Sequence, residues 1–341
     1  MKNIFVGLLV FAGLLCAWSP RAAAQAGPNC SWTVSIWSWE AAPFGAYDCQ
    51  YVAVEGAVPC QVQTYLCPPA AAPQETCATC AAAVTSLPIS LASGNTFIKE
   101  TDVRLPGLSG GLTLVRTWNS LWPSTQTAVQ VGLFGPNWRS NFEERVFLGN
   151  DNYLKYARGD GSFWSFGYGS PTGGGVWSTA APANVSATLT QGTSYWTITF
   201  QNGERRHFDN TSGKLTAIID RNGNTTQLAY DSVSRLTTVT DPASRHLYFS
   251  YANGSSYLVV GVTSDFGISL TYAYDVQGRL SLITNPDSST LSFQYNSQSL
   301  ITSVTDSNGK ILESHTYDNL GRGLTGARAN GVDAVTISYA N

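Results

Sequence analysis

The sequence predicts an all-β protein made of repeated β-hairpins in one extended sheet, preceded by a small disulfide-rich module. Three observations carry this reading. First, an aromatic residue recurs at Phe208, Tyr230, Tyr251, Tyr274, Tyr295, Tyr317 and Tyr339, in steps of 21 to 23 residues. A fixed period of this size marks stacked supersecondary units, none of which buries its apolar face alone. Second, stretches such as Thr290 to Tyr295 put Leu291, Phe293 and Tyr295 on alternate positions, the period-two pattern of a strand with one buried face. Third, charged residues make up only 12% of the 341-residue chain, against a usual ~25%. Thr, Ser, Tyr and Trp are plentiful in their place, which favours strand over helix.

Residues 1–26 read as a secretory signal. Lys2 supplies the positive end, Ile4 to Ala17 the short apolar run, and Ala22-Ala23-Ala24 the small-residue cleavage site. The run is too short for a stable membrane span, so the expected location is secreted or cell-surface. The net charge of −3 and the lack of any Lys/Arg run argue against nucleic acid as a partner.

Residues 27–86 form a cysteine-rich module with an Ala/Pro-rich linker. Beyond the signal, all six cysteines fall here: Cys30, Cys49, Cys60, Cys67, Cys77 and Cys80. An even count in an exported chain predicts disulfides, with the pairing open. So short a segment buries little apolar volume, and cross-links would supply much of its stability.

Residues 87–169 read as a β domain, with Leu112 to Trp118 its clearest strand and Gly110-Gly111 the turn before it. Residues 170–341 hold the repeats. Each unit is two strands and two turns. One turn follows the aromatic, as in Gly278-Arg279 and Gly321-Arg322; the other is Asp220 to Gly223, Asp241-Pro242, Asn285 to Asp287 or Asp306 to Gly309. Leu280 and Ile283 are three apart, which fits a strand only if a bulge intervenes.

At these repeats the chain resembles the RHS, or YD-repeat, family. The residues that carry the resemblance are Tyr230-Asp231 with Arg235-Leu236, Tyr274-Asp275 with Gly278-Arg279-Leu280, and Tyr317-Asp318 with Gly321-Arg322. The preceding segment is similar to the domain of unknown function DUF6531, through Ser93 to Asn95, Leu114 to Thr117, Gly135 to Trp138 and Asp160-Gly161. The resemblance implies a curved hairpin sheet forming part of a hollow shell. In full-length members that shell encloses a C-terminal toxin. This chain reads as a short form without the core and toxin.

The Tyr–Asp pairs themselves read as structural: a tyrosine rung followed by an Asp that accepts turn N–H groups. Gly107 to Gly111 spells the G-x-S-x-G elbow, but a strand follows it where that chemistry needs a helix. Cys77-Ala-Thr-Cys80 lacks the βαβ context of a redox pair and the nearby histidines of a zinc site. Arg158-Gly159-Asp160 matches an adhesion tripeptide, and its Asp-Gly half is a turn in its own right. No catalytic residue, metal ligand or cofactor is expected. Trp164, Trp177 and Trp196 lie near loops and are the candidate ligand contacts, since aromatic faces stack on sugars and partner proteins.

These observations lead to a secreted, non-enzymatic structural and binding protein. Its expected partner is a protein or a surface glycan, with self-association or a chain that completes the shell. The alternative is the N-terminal part of a toxin-delivery shell; a hydrolase on a β scaffold has least support. The cysteine reading is tested by alkylating the exported, unreduced chain under denaturing conditions. No thiol of Cys30 to Cys80 should be modified, and any labelled cysteine would break the framework.

Overall fold

The computed structural model describes residues 89–91, 93–121, 132–149, 153–168, 176–181, 185–253 and 256–339, with the backbone alone at 33–41, 48–55 and 62–66. The strands in chain order begin with β1 (Thr33–Ala41), β2 (Asp48–Glu55), β3 (Val62–Leu66), β4 (Phe97–Leu105), β5 (Leu112–Asn119) and β6 (Trp138–Ser140). Next come β7 (Arg145–Leu148), β8 (Leu154–Ala157), β9 (Phe163–Tyr168), β10 (Val176–Ala181) and β11 (Ala187–Gln191). The repeats supply β12 (Tyr195–Phe200), β13 (Arg205–Asp209), β14 (Leu215–Ile219), β15 (Thr225–Tyr230), β16 (Leu236–Thr240), β17 (His246–Tyr251) and β18 (Val259–Ser264). They continue as β19 (Ser269–Tyr274), β20 (Leu280–Thr284), β21 (Thr290–Tyr295), β22 (Ile301–Asp306), β23 (Ile311–Tyr317), β24 (Gly323–Arg328) and β25 (Val335–Thr336).

The chain divides into two compact units, residues 1–74, 147–155 and 164–191 in one and 75–146, 156–163 and 192–341 in the other. In the first, β1, β2 and β3 form a three-stranded antiparallel meander. Cys49 lies in β2. The other five predicted disulfide residues, and the side chain of Cys49, fall outside the described residues. Also in this unit, Trp177 of β10 is opposite Tyr168 of β9 on one side and Leu189 of β11 on the other. Phe166, Trp177 and Leu189 are all buried there.

The second unit holds a short sheet of β4, β5 and β6 and a run of hairpins from β12 to β25, each strand antiparallel to the next. The repeat strands bury alternate residues: Leu228 in β15, Leu247 and Phe249 in β17, Leu270 and Tyr272 in β19. The short sheet covers that buried face. Rings of this sheet and of the segment leading into β6 meet the repeats edge-on or tilted: Trp138 on Phe293 at 5.4 Å, Phe134 on Tyr272 at 4.9 Å, Trp118 on Tyr317 at 6.4 Å.

The strand that follows each aromatic turn buries residues three apart, Leu236 and Val239, then Leu280 and Ile283. The expected bulge accounts for it. Tyr274 pairs with Leu280 and Ala273 with Leu282, which leaves Ser281 as the extra residue. Its hydroxyl donates to the Ala273 carbonyl at 3.1 Å across the bulge. Thr216, Thr237 and Thr302 repeat this bond to His207, Ala229 and Gln294. A bulge breaks the ladder locally, and a Ser or Thr at that point supplies a donor for the carbonyl facing it.

Both rows of turns share one design. The Asp275 N–H donates to the Arg279 carbonyl at 2.9 Å, and the Gly278 N–H to the Asp275 carbonyl at 2.9 Å. This is a three-residue hairpin loop, whose last residue must enter the left-handed region. Gly278 (φ 74°) and Gly321 (φ 82°) do so freely, whereas Ser234 (φ 67°) and Ser299 (φ 62°) do so against their Cβ. Ser234→Gly should therefore stabilise the chain by ~0.5–1 kcal/mol, after the added freedom of unfolded glycine is counted. A urea titration measures it, and a lowered midpoint would contradict the assignment.

Candidate functional site

The Tyr–Asp positions are brought together into rungs, and the rungs join neighbouring repeats. Asp275 Oδ1 accepts the N–H groups of Gln277 at 3.0 Å and Arg279 at 2.9 Å, while Oδ2 accepts Arg279 Nε at 2.6 Å. Asp231–Arg235 and Asp318–Arg322 have the same geometry. Asn296 keeps the two backbone bonds without the ion pair.

The arginine then reaches the next unit. Arg279 lies over the Tyr295 ring at 4.6 Å, Arg235 over Tyr251 at 4.6 Å, and Arg322 over Tyr339 at 4.1 Å. Each of these tyrosines, and Tyr274 as well, donates its hydroxyl back to the preceding unit. Tyr295 bonds the Leu280 carbonyl at 2.7 Å, Tyr251 that of Leu236 at 2.7 Å, Tyr274 that of Val259 at 2.6 Å, and Tyr339 that of Gly323 at 2.7 Å. The register of β16 with β17 ends at Thr238 opposite Tyr248, two residues short of Leu236, so the hydroxyl reaches a carbonyl beyond the ladder.

The electrostatics match. Burial pushes the tyrosine pKa values upward, Tyr295 to about 12, so these side chains remain neutral donors. Asp231 is held below the usual carboxylate range by the Arg235 N–H first and its guanidinium next. Asp275 is also lowered: burial opposes this, and the backbone and side-chain bonds of Arg279 outweigh it. A depressed carboxyl stabilises the fold above its unfolded pKa and loses that contribution only as pH falls through the folded value. The rungs are thus fully formed from mild acid to neutrality.

A second arrangement was not visible in the sequence reading. Arg116 of β5 is fully buried and makes a bidentate pair with Asp102 of β4, one N–O distance being 2.8 Å. The Tyr272 hydroxyl donates to Asp102 at 2.7 Å. The guanidinium also lies 4.6 Å from the Trp138 ring and 5.3 Å from Phe134. Burial pulls the Arg116 pKa down, but Asp102 overrides it and the net shift is upward. The sequence held one signal for this seam. Two positions before the repeat tyrosine, the buried residues run Leu228, Phe249, Tyr272, Phe293 and His315, so two copies place a polar group where the others are apolar.

The remaining expectations resolve individually. Trp177 and Trp196 are only 1% and 8% exposed, which corrects their reading as ligand contacts: both lie in cores. In β12, Trp196 alternates with Ile198 on the buried side, and Tyr195, 42% exposed, faces out. Trp164 is half-buried. Ser109 points at the Ile218 carbonyl at 3.4 Å. The histidines have other contacts: His207 stacks on Tyr195, His246 pairs with Asp265, and His315 lies beside Glu313. In the tripeptide, Arg158 and Asp160 pair with each other at 3.0 Å across the turn. Among the described residues, no group of three or more His, Cys, Asp or Glu side chains could hold a metal ion, and no helix is long and apolar enough to cross a membrane.

Tyr295→Phe removes the rung donor and leaves the Leu280 carbonyl unsatisfied. It should cost ~1–2 kcal/mol in chemical denaturation. Gln294→Ala, on the exposed face of the same strand, should stay within ~0.5 kcal/mol. Equal effects would refute the rung.

A domain of unknown function, DUF6531, matches residues 86–166, and the RHS repeat matches residues 210–246 and 274–311. Among curated proteins, the tRNA nuclease WapA of Bacillus subtilis (strain 168) is 27% identical over 146 residues, 43% of this chain and 6% of that protein. The tRNA3(Ser)-specific nuclease WapA of Bacillus spizizenii matches to the same extent. The chain therefore spans a small fraction of these relatives. Among solved structures, the TcdB2-TccC3-TEV crystal structure aligns with 57% of this chain and 13% of its own, at 14% identity and a TM-score of 0.29. The Photorhabdus luminescens Tc holotoxin pore aligns with 57% and 12%, at 12% identity and a TM-score of 0.29. The two family matches fall on the segments whose strands, turns and rungs are described above: the chain is an RHS-repeat protein that carries a DUF6531 domain ahead of its repeats.

Proposed function

We propose that the chain is a non-enzymatic structural and binding module, exported to the cell surface or beyond, whose repeats form a wall that other molecules contact. One observation carries this reading. The Tyr, Asp and Arg side chains that recur with the period, and would be the natural ligand ladder, are spent on bonds within each turn and between neighbouring units. Saturated in this way, they hold a surface together instead of presenting chemistry to a substrate.

Contact then falls to the solvent face and the sheet edge. Tyr195 and Tyr248 are 42% and 41% exposed on the repeat sheet and replace the buried tryptophans as candidate glycan contacts. At the end of the described run, β25 is a two-residue strand that pairs with Thr325 and Gly326 of β24. A strand edge with free N–H and C=O groups templates pairing with another chain. Light scattering of the exported chain over a concentration series tests the proposal. Association that grows with concentration, or binding to a polysaccharide panel that Tyr195→Ala or Tyr248→Ala abolishes, supports it. A monomer at every concentration that binds no polysaccharide contradicts it.

The toxin-shell reading has its own support in the names of the curated relatives, tRNA nucleases of which this chain matches 6%. It expects an adjacent reading frame with further repeats whose product co-purifies with this chain. A product that does not co-purify argues against it.

A further inference from the structure

We propose that the outer face of the β4–β5 hairpin is a binding cleft for an acidic polysaccharide, with Lys99 and Arg104 of β4 as its cations. The inference rests on the binding role proposed above and places it on a different sheet from Tyr195 and Tyr248. Alternation sorts the side chains of this hairpin. Ile98, Val103, Leu112, Leu114 and Trp118 are buried, and Trp118 meets the ring of Tyr317 in the repeats. Lys99, Thr101 and Arg104 take the opposite parity and are exposed. Thr101 and Arg104 are three apart yet share a face, because the β4 bulge adds Asp102 between them. The register seats the three opposite Thr117, Val115 and Thr113 of β5.

These residues line one cleft of about 390 Å³, within the ~300–1,000 Å³ of ligand sites. Lys99, Thr101, Arg104, Thr113 and Val115 form its floor, and Pro106 with the glycines after it forms a rim. That rim belongs to the Gly107 to Gly111 segment, which spells an elbow in the sequence and here folds back on the end of β4. Arg245 Nη2 donates to the Pro106 carbonyl at 3.0 Å while it is also bound to Asp241. The Gly111 N–H donates to the Leu108 carbonyl at 3.0 Å. Gly111 has φ 68°, and a Cβ there would lie 2.1 Å from the Leu105 carbonyl oxygen. The rim is thus pinned at both ends.

The cleft is positive in a chain of net charge −3. No carboxyl lines it, and neither Lys99 nor Arg104 has a hydrogen bond or ion pair among the described residues. Arg116, Arg235, Arg245, Arg279 and Arg322 each hold an aspartate instead. The carboxyls of the same hairpin turn away: Asp102 is bonded to Arg116 and Tyr272, and Glu100 shares its parity with buried Ile98. Asp220, near Ser109 of the rim segment, accepts the N–H groups of Asn222 and Asn224. The lining then selects the occupant. Lys99 and Arg104 leave the strand ~13–17 Å apart, which suits negative groups repeated along a chain. The Thr101 and Thr113 hydroxyls can donate and accept, and Val115 and Pro106 add apolar surface. A sugar ring has the same mixture of hydroxyls and C–H faces, and a carboxylate on it gives the Arg104 fork a planar partner.

Calorimetric titration of the full chain with polygalacturonate tests this, with neutral dextran and polyglutamate as comparisons. The chain should bind polygalacturonate, and more weakly as salt rises. Lys99→Gln and Arg104→Gln, both at exposed positions, should each weaken binding at least ~3-fold, and together ~10-fold. Lys310→Gln removes the same charge from an exposed turn and should change the affinity less than ~2-fold. Tyr195→Ala should also leave it unchanged, which separates this cleft from the repeat face. Absence of polygalacturonate binding, equal losses in Arg104→Gln and Lys310→Gln, or equal affinity for polyglutamate would overturn the proposal. Dextran binding that Tyr195→Ala abolishes, with no binding of polygalacturonate, leaves the binding role standing and removes this cleft from it.

Discussion

The link from an Asp–Arg turn to the tyrosine of the next repeat is the interaction on which this structure depends. A single two-stranded hairpin is marginal in water. Backbone ladders tie adjacent strands, but every aromatic turn is followed by a bulge that interrupts the ladder. The rung restores cohesion at that point. Asp275 orders the loop and orients Arg279, Arg279 covers the Tyr295 ring, and the Tyr295 hydroxyl returns to the Leu280 carbonyl at the bulge. One short sequence motif therefore specifies the turn, the bulge and the junction to the next unit.

The short β4–β6 sheet depends on that regularity. Its aromatic rings, and Phe134 ahead of β6, land on the inner positions of successive repeats, and a shift of one residue in any strand would turn those positions to the other face. The Arg116–Asp102–Tyr272 cluster adds direction to an otherwise apolar contact. A buried ion pair adds little net stability after desolvation. Its partners must coincide, however, and only Tyr272 among the inner repeat residues offers the hydroxyl that Asp102 accepts. The cluster thus fixes where the layer sits along the repeat sheet, and the binding reading follows from a wall whose inner face is covered and whose recurring side chains are internally spent.

Much of this was legible in the sequence because the period repeats the same local chemistry. Tyr-Asp-x-x-Gly-Arg announces an aromatic strand end, an Asp-capped loop and a left-handed residue, and the Leu280 to Ile283 spacing announces the bulge. The long-range half was not legible. Nothing local to Arg279 says that its partner is a ring in the following unit, and the Asp102 to Tyr272 contact joins segments far apart in the chain. Trp177 and Trp196 lie close to loops in the sequence, but strand alternation decides where they go; Trp196 shares its parity with Ile198 and goes inside with it. The expected disulfides of the six cysteines lie outside the described side chains.

The most direct test of the rung is a double-mutant cycle between Arg279 and Tyr295, with Arg279→Ala, Tyr295→Leu and the double variant followed by chemical denaturation. The two residues belong to different repeats and meet through one ring face. If that contact joins the units, the cycle should return a coupling of ~1 kcal/mol. Additive losses, with coupling below ~0.3 kcal/mol, would mean that the repeats hold together by their backbone ladders alone.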